Sequence, residues 1–122
     1  MFNFILPKKD TITVAHFDHS RKIIFVIDKK SLQIMYANHA AAFTYRLDRQ
    51  SLLNLPITSL LNDPAEALLR FLDSSSSVEK FRSRDKDAFE FHVAVSKSPG
   101  IFKSKDCYLL MVEPVAISFD KA

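Results

Sequence analysis

The residues of this chain with the means to do chemistry are few and scattered. Metal ions and haem iron want histidine or cysteine, and the chain has four histidines, His16, His19, His39 and His92, and the single cysteine Cys107. His16 and His19 stand three apart, a spacing that brings two rings to one ion on a helix. No carboxylate or cysteine falls where it would complete the set, so no metal site is expected. His39 reads as a surface residue at the start of a helix, and His92, alternating with Phe91 and Val93, as a solvent-facing strand residue. Cys107 opens the apolar run to Val112, which reads as a buried thiol. Alone it forms no internal disulfide, which suits a reducing, cytoplasmic setting. Nucleophilic catalysis would need a serine or cysteine beside a base, and phosphate chemistry a glycine-rich loop. The chain has one glycine, Gly100, and shows neither pattern. Asp28 and Asp85 read as turn residues that accept backbone hydrogen bonds. No catalytic residue is expected, and the chain is not read as an enzyme.

What remains is a core and the elements that build it. Of the 122 residues, 48% are hydrophobic and 25% charged, enough for one domain to fold without staples. The net charge of +3 is spread over Lys8-Lys9, Lys29-Lys30 and Lys103 with Lys105, beside aspartates. No helix carries a basic face interleaved with aromatics, so nucleic acid is not an expected partner. The opening Met1 to Leu6 is too short an apolar run for a signal peptide, and no stretch nears the roughly 20 apolar residues of a membrane helix.

Residues 1 to 20 read as an N-terminal extension. Ile23 to Ile27 is a short β-branched strand, Asp28 to Ser31 a polar turn, and Leu32 to Ala37 a second strand. Asn38 predicts an N-cap, its side-chain oxygen accepting a backbone N–H two or three residues on. Asp48 does the same for a short helix, Arg49 to Leu53, and Asn54 takes a left-handed conformation after it. Ile57 to Leu61 is a helical turn. Asp63-Pro64 is a cap followed by a first-turn proline, opening a helix through Leu72 that the serines at 74 to 77 end. Three strands follow, Val78 to Ser83, Phe89 to Val95 and Asp106 to Val115. Their turns are placed at Asp85-Lys86-Asp87 and Lys97-Ser98-Pro99-Gly100. Strands at both ends of a chain join one sheet with the helices on one face, an α+β arrangement.

Three segments in this order resemble the PAS family. Phe25-Val26-Ile27-Asp28 with Leu32 to Asn38 is similar to its opening hairpin, Tyr45 to Asn54 to its next segment, and Phe81 to Val93 to the hairpin before its last strands. The likeness covers about residues 22 to 115. Asn54 and Lys86 stand where the family has glycine; asparagine adopts that backbone readily, so the turn at Lys86 is expected to be built differently. The resemblance implies a five-stranded antiparallel sheet with several short helices on one face, and the first and last strands side by side at its centre. It divides the chain into an extension at 1–20, a PAS domain at 21–116 and a tail at 117–122.

Such a domain can hold flavin, haem, a small ligand or nothing. Light-sensing flavin chemistry of the LOV type needs a cysteine where Ile57 stands. Haem-binding relatives carry a ligand histidine on the helix that here reads Pro64 to Leu72, and it has none. Neither cofactor is expected. If a pocket exists, an apolar or aromatic small ligand would meet Phe25, Ile27, Ile34, Tyr36, Phe43, Phe71, Phe89, Phe91 and Met111, with Tyr36 as its polar handle. The eleven phenylalanines also allow a core with no pocket at all.

By the opposite parity, Ile24, Val26, Tyr108, Leu110 and Val112 point away from the helices as one apolar patch, and such a patch marks an interface. It is expected to be covered by Phe2, Phe4, Ile5, Ile12, Val14 and Phe17 of the extension, by a second copy in a homodimer, or by both. These readings imply a regulatory PAS domain in signal transduction that senses a signal and couples, through dimerisation, to an effector domain or partner protein. The alternative is a ligand-free dimerisation or protein-interaction module with a filled core. An enzyme of the ketosteroid-isomerase-like shape would need a carboxylate inside the pocket, and Glu90 points outward by alternation.

Overall fold

The structure is a computed structural model, and it describes residues 10–115. Five antiparallel strands form one sheet: β1 (Ile23–Asp28), β2 (Ile34–Ala37), β3 (Val78–Arg84), β4 (Glu90–Phe102) and β5 (Lys105–Pro114). Their spatial order is β2-β1-β5-β4-β3, so the first and last strands are central neighbours, as expected. Between β2 and β3 run α1 (His39–Tyr45), α2 (Arg49–Leu52), a 3-10 turn (Ile57–Leu60) and α3 (Ala65–Asp73).

Local chemistry starts and stops these pieces. Asn38 caps α1 through Ala41 N at 3.1 Å, and Asp48 caps α2 through Ser51 N at 2.7 Å. Asn54 is left-handed with φ 73°. Asp63 does not cap α3; its carboxylate instead accepts from Arg82 N (2.7 Å) and Arg82 Nε (3.3 Å) on β3. The carbonyls at the end of α3 are taken by Lys97 Nζ, which reaches over from β4 to Leu72 O (3.2 Å), Ser74 O (2.7 Å) and Phe71 O. At the β3–β4 turn the left-handed residue is Ala88, not Lys86, with Asp85 Oδ1 accepting from the backbone N–H groups of Asp87 and Phe89.

The turn expected at Lys97 to Gly100 does not exist. β4 runs straight through it, and the chain reverses at Lys103 and Ser104, both left-handed. A proline survives there because β3 pairs no further than Ser96. Ile101 donates its N–H away from β5, to Asp10 O at 2.9 Å. Two residues earlier, the same pleat aims the nitrogen of Pro99 away from β5, where the β4–β5 ladder needs no bond from it.

The core has two layers. Beneath the helices lie Ile23, Phe25, Ile27, Ile34, Tyr45, Leu52, Leu68, Phe71, Phe81, Val93, Leu110 and Val112. On the opposite face Ile24, Val26, Tyr36, Phe102 and Cys107 are buried, with Met35, Leu109 and Met111 partly so, under Ile12, Val14 and Phe17. Residues 10–19 thus cross the outer face as a strap. Phe2, Phe4 and Ile5, expected in the same role, lie outside the described residues.

Candidate functional site

The sequence points to two places in this fold: the interior beneath the helices and the outer face beneath the strap. The interior comes first. Of the residues expected to line a pocket, Phe25, Ile27, Ile34 and Phe71 are buried there, and Phe91 packs against them partly exposed. Phe43 and Phe89 are not there at all. They are 86% and 67% exposed, because α1 turns Ala41 and Tyr45 inward instead, and Phe89 sits in the β3–β4 turn before β4 begins. Tyr36 and Met111 lie on the outer face.

Both displacements have a cause in the strands. The register of β1 on β2 shifts by one residue, from Val26 opposite Tyr36 to Ile27 opposite Ile34. This bulge at Met35 turns Tyr36 to the face opposite Ile34, although plain alternation would keep the two together. In β5 every residue from Cys107 to Val112 is apolar, so alternation carries no parity signal. Pairing decides: Phe25 lies opposite Leu110 and Ile24 opposite Met111. Tyr108, Leu110 and Val112, expected on the outer interface, therefore face the helices, while Leu109 and Met111 take their place outside. Ile24 and Val26 are outside as expected, and the strap leaves them fully buried.

The interior is almost full. The void among Phe25, Tyr45, Ile57, Leu60, Leu68, Val95, Leu110 and their neighbours measures about 10 Å³. Pockets that enclose small molecules run to roughly 300–1,000 Å³. The polar handle inside is Tyr45. Ser83 Oγ donates to Leu60 O at 2.6 Å, so its single proton is committed and Tyr45 must donate to Ser83 Oγ across the 2.7 Å contact. Burial pushes the Tyr45 phenol up to about 12. Sequence reasoning placed neither residue in the interior. Tyr45 falls on the inward face of α1 by helical spacing from Ala41, which was the available signal.

The outer face is held by polar ties at one end of the strap. Asn38 is fully buried and uses all of its side chain: Oδ1 accepts from Ala41 N and Ile24 N at 3.1 Å, and Nδ2 donates to Phe17 O and Lys22 O at 2.8 Å. Tyr36 donates to the Asp18 carboxylate, and Arg49 reaches the same oxygen at 3.2 Å while donating from Nε to Ala37 O at 2.8 Å. Tyr36 first, then Arg49, holds the Asp18 carboxyl below its ordinary value against the opposing effect of burial. Arg49 also approaches His39 Nε2 at 3.2 Å, and His39 stacks on His19 at 4.8 Å. His16 instead packs tilted against Phe17, with ring planes 41° apart, so His16 and His19 serve different neighbours. Among the described residues no group of three or more metal-binding side chains converges. At the other end of the strap, Ile12 crosses Gly100 so closely that a Cβ there would meet Ile12 Cγ1 at 2.6 Å. Ile12 N donates to Ile101 O at 2.8 Å.

No family model matches the chain, and no curated protein matches it. Solved structures do. A PAS domain from a two-component sensor histidine kinase superposes with a TM-score of 0.73 at 17% identity, over 82% of this chain and 90% of its own. The PAS domain of an HTR-like protein from Haloarcula marismortui gives 0.71 at 19%, over 83% and 92%. A light-oxygen-voltage domain studied with a flavin analogue gives 0.68 at 12%, over 84% of each chain. The strand order, the run of short helices between β2 and β3 and these superpositions agree: the chain has the fold of the PAS domains.

Proposed function

We propose that this chain is a regulatory PAS module in signal transduction that acts through protein contacts rather than by enclosing a small molecule. The observation that carries this reading is the interior void of about 10 Å³, too small for any cofactor and close to the limit for a single water. Bulky side chains occupy the space a ligand would need, and the Tyr45–Ser83–Leu60 chain satisfies the polar groups that would otherwise call for one. Sensor kinases carry domains of this shape, which supports a place upstream of an effector. Output would come from shifting the population of two arrangements at the outer sheet face, where residues 10–19 cover Ile24 and Val26 and leave Leu109 and Met111 partly exposed beside them for a homodimer or effector contact. No catalytic step is assigned.

Thermal denaturation with and without added FMN, haemin or a medium-chain fatty acid tests this. A ligand that binds only the folded chain raises Tm, by an amount that grows with the logarithm of its concentration above Kd. No shift is expected with any of the three, and a rise with one that follows this dependence would replace the contact reading with a ligand-sensing one.

A further inference from the structure

Two lysine pairs have no role in the fold or in the contacts described so far: Lys29-Lys30, and Lys103 with Lys105, which begins 74 residues after Lys29. The sheet brings them together. β1 and β5 are neighbours, so the β1–β2 turn and the β4–β5 turn share one end of it. Lys29 N donates to Asp106 O at 3.0 Å from one turn to the other. All four lysines are exposed, around an open cleft of about 400 Å³ walled by Lys30, Ser104, Lys105 and the aspartates 28 and 106. Four lysines against two aspartates place +2 of the chain's net +3 at this one pole. Asp28 is used inside its own turn. Its carboxylate accepts from Lys30 N at 3.2 Å and Ser31 Oγ at 3.0 Å, lies 4.0 Å from Lys105 Nζ, and its side chain is only 15% exposed. Asp106 is engaged as well. Among the described residues Lys29, Lys30 and Lys103 form no ion pair.

The β4–β5 turn carries an independent sign. Phe102 pairs with Lys105, so the loop is the two residues Lys103 and Ser104, both left-handed. A turn of this kind favours Asn-Gly, because residues with a Cβ take positive φ only at a cost. Lys103 Nζ lies 5.5 Å from the Phe102 ring, a contact that offsets that cost only in part. A residue that breaks the local rule without a matching gain in packing marks a functional position. We infer that this basic pole docks an extended acidic segment of a partner protein. The two turns cap four adjacent strands, β2, β1, β5 and β4. At roughly 4.8 Å per strand they make a row about 14 Å long, which an extended segment of about five residues covers with its alternate carboxylates turned toward the lysines. Nucleic acid is read with arginine forks or exposed rings, and neither turn has one. A membrane surface takes apolar anchors, and the exposed Phe43, Leu69, Val78 and Phe89 all belong to other elements. The inference rests on the contact reading above and deepens it, giving the partner's chemistry and a place at the end of the sheet rather than on its outer face.

The test is fluorescence anisotropy of a labelled hexaglutamate peptide titrated with the full chain, at about 20 mM and about 150 mM salt. Saturable binding is expected at the lower salt, weakened several-fold at the higher. The pair Lys30→Glu and Lys103→Glu is expected to weaken it several-fold more, and the charge-matched pair Lys22→Glu and Lys80→Glu, both exposed and outside the two turns, to leave it near the parent's. Lys103→Asn with Ser104→Gly is expected to raise Tm and still weaken binding, a combination that a purely structural lysine would not give. No binding at low salt, equal weakening by the two charge reversals, or unchanged binding by the Asn-Gly turn overturns the proposal. So does tighter binding of oligothymidylate or of phosphatidylserine vesicles through the same lysines. If it falls while FMN, haemin and the fatty acid leave Tm unmoved, the contact reading stands; a ligand-dependent rise in Tm defeats that reading separately.

Discussion

Single residues carry the specificity of this fold more than its bulk does. Asn38 is the clearest case, because one amide caps α1, holds β1 and ties down the strap. Asn38→Ala removes a cap and strands two carbonyls and an N–H. A loss of about 3 kcal/mol is expected from chemical denaturation, well above the ~1 kcal/mol of an ordinary cap. Inside, Ser83→Ala is expected to cost more than Tyr45→Phe, about 2–3 against ~1 kcal/mol, since it strands both the Tyr45 hydroxyl and Leu60 O. Equal losses would mean the hydrogen-bond direction is wrong. The Tyr45 phenol sits higher in the folded chain, at about 12, than its free value of 10.0. Its contribution is therefore present below pH 10 and lost as pH rises toward 12. Alkaline unfolding of Tyr45→Phe is expected to begin at higher pH than that of the parent.

At the scale of elements, the strap is expected to open before the sheet beneath it, because Ile12, Val14 and Phe17 are only partly buried. Gly100→Val drives a side chain into Ile12 and the carbonyl of Asp10, and is expected to expose the amide of Ile12 to fast hydrogen exchange while Val26 stays protected. Acid acts on the same element. The carboxyl of Asp18 lies below its free value of 3.8 when docked. Docking is thus supported above about pH 4 and lost as pH falls through the lowered value. Exchange at Ile12 is expected to accelerate at a higher pH than exchange at Val26, and Asp18→Asn to remove that pH dependence; coincident acceleration would place the strap in the global transition. The β4–β5 turn offers a gain instead. Lys103 and Ser104 hold left-handed angles of 51° and 65°, and Ser104→Gly is expected to raise stability by about 1 kcal/mol in denaturant unfolding.

Across the whole molecule, local punctuation was legible where one side chain closes its own turn, and misled at Asp63 and at Lys97 to Gly100, where cross-strand partners decide. Asn38, Asp48 and Asn54 announce their caps and turns in single residues, and the strands at either end of the chain imply their central pairing. The faces were not legible, for two reasons. β5 is apolar on both sides, and the bulge at Met35 reverses parity within four residues. Both depend on cross-strand pairing, which no window of one strand contains. The same gap hid Tyr45 and Ser83, which lie 38 residues apart and meet only once α1 covers β3.

The filled interior is tested most directly by native mass spectrometry of the purified, never-denatured chain, with an absorption spectrum of the same sample. The expected result is the mass of the polypeptide alone, or a whole multiple of it, with no absorption beyond the aromatic band. An additional few hundred daltons per chain, released on denaturation, would contradict a core packed by its own side chains.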